Sequence, residues 1–226
     1  AFSGPLPAGI GGLLNLREFY ANTNQFSGTL PPEMGQMIKM KYLYLMRNQF
    51  EGAVPASFNN MVNLIQLRLD DNQFTGMPDL SALVNLKKLS VQKNKLDFED
   101  LEPLAALAIP SFEYAPQAVI GTEESLTAYA GTTFTYTLTT GGTANTYQWY
   151  FDGTAISGQT SATLTIDPVG ESDAGDYVCK VKNTLLPALT LISQPIHLAV
   201  NASVNNWKMG GWVTDVAQQY ARLIWK

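Results

Sequence analysis

A repeat of roughly two dozen residues governs the first half of this chain. Leu16-Arg-Glu-Phe19-Tyr-Ala21-Asn-Thr-Asn24 aligns with Met40-Lys-Tyr-Leu43-Tyr-Leu45-Met-Arg-Asn48, then with Leu64-Ile-Gln-Leu67-Arg-Leu69-Asp-Asp-Asn72 and Leu86-Lys-Lys-Leu89-Ser-Val91-Gln-Lys-Asn94. Apolar residues recur at the first, fourth and sixth positions, and the closing asparagines stand 24, 24 and 22 residues apart. After each of the first three comes a second block: Gln25-Phe26-Ser-Gly28-Thr-Leu30-Pro31, Gln49-Phe50-Glu-Gly52-Ala-Val54-Pro55 and Gln73-Phe74-Thr-Gly76-Met77-Pro78. A repeat this short cannot bury its apolar side alone, so successive units must stack into a solenoid.

These blocks resemble the leucine-rich repeat, in the F-x-G-x-[IL]-P subtype of plant receptor ectodomains and secreted bacterial proteins. The resemblance spans residues 1–108. It implies that each unit supplies one short strand, and that the strands lie parallel about 4.8 Å apart with the apolar positions inward. It also implies that Asn24, Asn48, Asn72 and Asn94 turn inward to satisfy backbone groups of adjacent coils. The run from Asn94 to Leu104 turns acidic and helix-like and reads as the C-terminal cap that a solenoid end requires. Residue 1 falls inside a repeat and no N-terminal cap is visible, so the chain is expected to be a fragment of something longer.

From residue 117 the period changes to two. Strand-like segments around Phe134, Trp149, Leu164 and Cys179 are separated by turn residues, which indicates an antiparallel sandwich. Asp173-Ala-Gly-Asp-Tyr177-Val-Cys179 resembles the sixth strand of an immunoglobulin-type domain, with Tyr177 as its corner tyrosine and Trp149 as its core tryptophan. That resemblance spans about 117–200. The partner cysteine is replaced by Leu138, and one cysteine in the whole chain excludes an intrachain disulfide. The fold class read here is therefore multidomain: a leucine-rich solenoid of parallel β structure, then an all-β immunoglobulin-like sandwich lacking its intersheet disulfide. The division is 1–108 solenoid, 109–116 linker, 117–200 sandwich and 201–226 a tryptophan-rich tail. In that tail Trp207, Trp212 and Tyr220 mark a docking helix or the start of a further domain. Cysteine-poor modules in this tandem look like secreted or surface proteins of bacteria, particularly of the Bacteroidetes type.

Composition removes several function classes. One histidine, His197, leaves a His-based triad or metal centre without spare parts. A net charge of −5 argues against nucleic acid as the partner. No apolar run approaches the ~20 residues of a membrane helix. Asp70-Asp71 read as a solvated pair, and Glu99, Asp100 and Glu102 as the soluble face of the cap. No catalytic constellation, metal site or cofactor motif emerges.

Binding is the better-supported reading. The outward strand positions carry seven Lys/Arg against three carboxylates, a positive surface on a negative chain. Arg17, Tyr20, Tyr42, Tyr44, Arg47 and Arg68 are the candidate ligand-binding residues, because Tyr and Arg favour interfaces. The expected role is a non-enzymatic extracellular or cell-surface module that binds or adheres to a protein or glycan through the concave solenoid face. One alternative is a structural subunit of a larger outer-membrane-associated assembly, docked to its other subunits; another is an accessory part of a secreted enzyme.

Overall fold

The computed structural model describes residues 1–202, so Trp207, Trp212 and Tyr220 lie outside the described residues. The first half contains β1 (Ser3–Gly4), β2 (Glu18–Tyr20), β3 (Gln25–Gly28), β4 (Tyr42–Tyr44), β5 (Gln49–Ala53), β6 (Gln66–Arg68), β7 (Gln73–Gly76), β8 (Lys88–Ser90), helix α1 (Phe98–Ala105) and β9 (Ser111–Glu113). Strands β2, β4, β6, β8 and β9 form one parallel sheet in that order, and β1, β3, β5 and β7 form another. Between them the core is layered by coil. Leu43, Leu67 and Leu89 occupy one register position and are fully buried. The phenylalanines of the second block stack as a spine, with Phe2–Phe26, Phe26–Phe50 and Phe50–Phe74 centroids 6.1, 6.0 and 6.3 Å apart.

Amides hold the coils in register. Asn48 Nδ2 donates to the carbonyls of Leu45 and, one coil back, Ala21, both at 3.0 Å, while its Oδ1 accepts the Phe26 N–H at 3.1 Å. Asn72 and Asn94 repeat this pattern, each reaching its own coil and the preceding one. Asn24 donates to the Ala21 carbonyl and accepts from Phe2 N.

The stretch read as a linker, 109–116, differs from that expectation. It contains β9, which pairs in parallel with β8 through Lys88–Ser111, Leu89–Phe112 and Ser90–Glu113. Ile109, Phe112 and Tyr114 take the first, fourth and sixth positions of a fifth coil, and Gln117 takes the ninth. Gln117 Nε2 donates to the carbonyls of Val91 and Tyr114 at 3.0 and 2.6 Å, and its Oε1 accepts the Asn94 N–H at 3.0 Å. A glutamine therefore performs the asparagine's task in a coil from which the F-x-G-x-P block is missing.

The second unit comprises β10 (Glu124–Tyr129), β11 (Phe134–Thr137), β12 (Asn145–Phe151), β13 (Thr154–Ala155), β14 (Thr163–Ile166), β15 (Gly175–Asn183), β16 (Thr190–Ile192) and β17 (Ile196–Asn201). One sheet runs β10-β17-β15-β12-β13 with β16 also on β15; β11 and β14 pair separately. Trp149 is fully buried and donates its indole N–H to the Ser161 carbonyl at 3.0 Å. Tyr177 is buried and closes its corner by donating to the Asp173 carbonyl at 2.7 Å. Leu138 and Cys179 are both buried, and burial pushes the thiol up to about 11.

Acidic side chains of the cap join the two units, which corrects their reading as a merely solvated face. Asp97 caps α1 through its Oδ1, and its Oδ2 accepts the Gly141 N–H at 2.9 Å. Asp100 is half-buried, and burial raises its carboxyl against the pull of backbone donors from Asp97 and Met77. Glu102 accepts from Thr143 N at 2.7 Å, Thr143 Oγ1 at 2.8 Å, Ala144 N at 3.1 Å and Asn183 Nδ2 at 2.5 Å. Desolvation opposes ionisation of Glu102, but those four donors outweigh it and hold its carboxyl below the ordinary range. A Cβ at Gly141 would lie 2.3 Å from Glu99 Cβ, so glycine is what lets this loop seat on the cap.

His197 on β17 fastens the sandwich edge. Its Nδ1 lies 2.6 Å from Asp176 on β15 and its Nε2 lies 3.0 Å from Glu123, just before β10. Asp176 first, then Glu123, raises the imidazole above 6.5.

Two measurements follow from these contacts. Gln117→Ala should destabilise the solenoid by about 1–3 kcal/mol, as a half-buried amide with several backbone partners is lost. Urea unfolding followed by circular dichroism checks this beside Asn94→Ala, and an unchanged midpoint would remove Gln117 from the ladder. For His197, the folded imidazole holds its proton more tightly than the unfolded one. Its stabilisation is therefore complete below 6.5 and fades as pH rises through the higher folded value. The stability gap between wild type and His197→Gln should thus be wider at about pH 5.5 than at about pH 8.5.

Candidate functional site

The five-stranded sheet has a buried face and an open one, because side chains alternate along each short strand. Phe19, Leu43, Leu67, Leu89 and Phe112 point inward; the flanking residues of each strand point outward. The register sets the outward residues in two rows. One holds Glu18, Tyr42, Gln66, Lys88 and Ser111; the other holds Tyr20, Tyr44, Arg68, Ser90 and Glu113.

The second row brings together three of the six residues singled out from sequence. Tyr20 and Tyr44 meet edge to face with centroids 4.8 Å apart, and the Arg68 guanidinium carbon lies 5.6 Å from the centre of the Tyr44 ring. Both tyrosine hydroxyls are tied down: Tyr20 donates to Glu18 at 2.9 Å and Tyr44 to Gln66 at 2.5 Å. The Glu18 hydrogen bond, with further contributions from desolvation and nearby charge, raises the Tyr20 hydroxyl to about 12. These rings thus offer π surface rather than free hydroxyl groups. Tyr20 is 53% exposed.

The other three sit around this row. Tyr42 lies in the first row beside Glu18 and Gln66. Arg17 immediately precedes β2 and is exposed, and its carbonyl accepts the N–H groups of Lys41 and Tyr42. Arg47 is exposed in the turn after β4, where its φ of 56° is shared by Thr23, Asp71 and Lys93 at the same place in their coils. Among the described residues, no side-chain hydrogen bond occupies Arg17, Lys41, Arg47, Lys87 or Lys93.

Three features escape the sequence reading. Asp70-Asp71 is not a solvated pair: Asp71 is exposed, but Asp70 is 8% exposed, with Oδ1 3.6 Å from Arg68 Nε. Burial pushes its carboxyl up, against the pull of Arg68 and Arg47. Glu113 lies in the stretch read as linker, yet it closes the open face. It accepts from Lys88 Nζ at 2.6 Å, Ser90 Oγ at 2.9 Å and Gln92 Nε2 at 3.4 Å, and Lys88 above all holds its carboxyl below the usual range. The face therefore carries seven Lys/Arg against four carboxylates. Third, the two ends of the sheet differ: at the β8–β9 end Lys88, Ser90 and Gln92 pair with Glu113, while the β2–β6 end leaves its tyrosine rings open, and cations flank both ends. The spacing Ile109, Phe112, Tyr114 and Gln117 was the available signal for Glu113. Among the described residues no cluster of three or more His, Cys, Asp or Glu is placed to hold a metal ion, and no helix is long and apolar enough to cross a membrane.

Residues 116–183 match the family model described as immunoglobulin domain. A search of curated proteins gives no significant match. Among solved structures, the chain is similar to the plant peptide hormone receptor RGFR1 in complex with RGF2, at 24% identity and a TM-score of 0.48, over 56% of this chain and 20% of that one. It is similar to the LRR ectodomain of the receptor kinase SOBIR1 from Arabidopsis thaliana, at 26% identity and a TM-score of 0.45, over 49% of this chain and 61% of that one. It is also similar to immunoglobulin domains 1–4 of Sidekick-1, at 21% identity and a TM-score of 0.35, over 42% of this chain and 27% of that one. The chain spans less than two thirds of each of these structures.

Proposed function

We propose that this chain is a non-enzymatic binding module of an extracellular or cell-surface protein, and that it recognises a partner through the open face of the five-stranded sheet. The observation that carries this reading is the Tyr20–Tyr44–Arg68 row, three amphipathic groups packed on one another and flanked by unpaired cations. Such groups anchor interfaces because they bury large flat surfaces while losing little conformational freedom. A protein fits better than a glycan. Sugars are gripped through many directional hydrogen bonds to hydroxyls, yet one oxygen each of Glu18 and Gln66 is taken by a tyrosine, and Ser90 and Glu113 are paired with each other. What remains open is aromatic surface and positive charge, which suits an acidic, partly apolar protein segment.

The firm joint through Glu102 favours a second reading, a structural subunit of a larger outer-surface complex, since it makes the two units a single building block. An array of soluble peptides and glycans separates the two. On the first reading the chain captures acidic peptides, and Tyr20→Ala with Tyr44→Ala weakens capture at least about 10-fold, with Tm unchanged within about 3 °C. On the second, those substitutions change nothing, whereas deleting 201–226 abolishes co-purification with other subunits.

A further inference from the structure

Asp70 is the one charged side chain among the buried polar residues described, and it stands at a position where the other coils place Asn22, Met46 and Gln92. Its Oδ1 is closed off from solvent and receives no hydrogen bond from the protein. Arg68 Nε, 3.6 Å away, is likewise enclosed and donates to no protein group. A buried carboxylate held this way costs stability, and an uncharged asparagine of the same shape would cost less. The rise in the Asp70 carboxyl through desolvation reflects the same cost. The charge therefore calls for a use beyond folding.

Its neighbour supplies one. The Arg68 guanidinium is bounded by Asp70 on the Nε side and by the Tyr44 ring across its carbon, 5.6 Å from the centroid. Among the described residues its two terminal nitrogens donate to no protein group, and 29% of the side chain is open. A guanidinium flanked on two sides with its outer nitrogens free has the planar fork that matches a carboxylate.

We propose that Asp70 is a positioning residue that sets Arg68 as a two-nitrogen fork for an Asp or Glu carboxylate of an acidic partner segment. The proposal rests on the open face being the binding surface. It differs from simple charge attraction in sign. If only net charge mattered, replacing Asp70 by a neutral residue would make the face more positive and tighten its grip on an anion. If Asp70 orients the fork, the same replacement loosens it.

The test is fluorescence anisotropy with labelled poly-L-glutamate at low ionic strength, and polygalacturonate as a second carboxylate polymer. Wild type binds poly-L-glutamate in preference. Asp70→Asn weakens binding at least about 10-fold while melting no lower than wild type. Arg68→Lys keeps the charge, removes the fork and weakens binding about as much, in a chain whose buried carboxylate is untouched. Arg17→Ala, which removes a cation elsewhere on the face, weakens it only about 2- to 3-fold. Equal or tighter binding by Asp70→Asn, with Arg68→Ala still weak, would overturn the positioning role and leave the open-face reading standing. Preference for polygalacturonate would overturn the peptide class. No binding by wild type, or binding indifferent to every open-face substitution, would overturn the proposal and the acidic-partner reading together.

Discussion

The solenoid depends on one repeated interaction, a side-chain amide that bridges two coils. Asn48, Asn72, Asn94 and Gln117 each donate to carbonyls of their own and the preceding coil and accept a backbone N–H from the preceding one, as Asn72 does with Leu69, Leu45 and Phe50. Without it, backbone groups that the sheets leave unpaired would be buried unsatisfied. The consequence reaches the surface. The ladder fixes the parallel register, and that register sets Tyr20, Tyr44 and Arg68 side by side rather than staggered. A slip of one residue would turn the row into the core.

Given that register, the chemistry of the open face follows from which side chains find partners at home. Tyr20 and Tyr44 spend their hydroxyls on Glu18 and Gln66, so their polarity is quenched and their π surface remains. Lys88 is neutralised by Glu113, so the excess charge sits with Arg17, Lys41, Arg47, Lys87 and Lys93. The face is thus aromatic at the β2–β6 end and tied together by Glu113 at the other, with unpaired cations flanking both.

Much of this was legible in the sequence because it is periodic. Four asparagines at near-constant spacing reveal the ladder, and alternation about Phe19, Leu43, Leu67 and Leu89 reveals which residues point out. The fifth coil was obscured because Gln117 replaces asparagine, prolines at 110 and 116 read as linker, and no second block follows. Glu113 was lost with it. Asp70 was misread for a different reason. It is buried beside Arg68, two residues earlier, and no periodic position in the repeat marks that approach. Glu102 is likewise an ordinary cap residue until the loop at Gly141–Ala144 is laid against it.

The sandwich shows how a module of this shape holds together with half a disulfide. Cys179 faces Trp149 across the β12–β15 ladder, its N–H is satisfied by Ser193 Oγ at 2.9 Å, and burial keeps the thiol protonated. In that setting sulfur serves as a small apolar group. The constraint a covalent bridge would place on the unfolded chain is absent, so stability must come from native contacts alone: the Trp149 indole bond, the Tyr177 corner, the His197 clamp and the Glu102 seat. Of these, the Glu102 seat reaches outside the sandwich. Because it joins the end of β15 to the solenoid cap, the sandwich borrows support from the unit that carries the candidate site. The two units are consequently expected to unfold as a coupled pair rather than as independent beads.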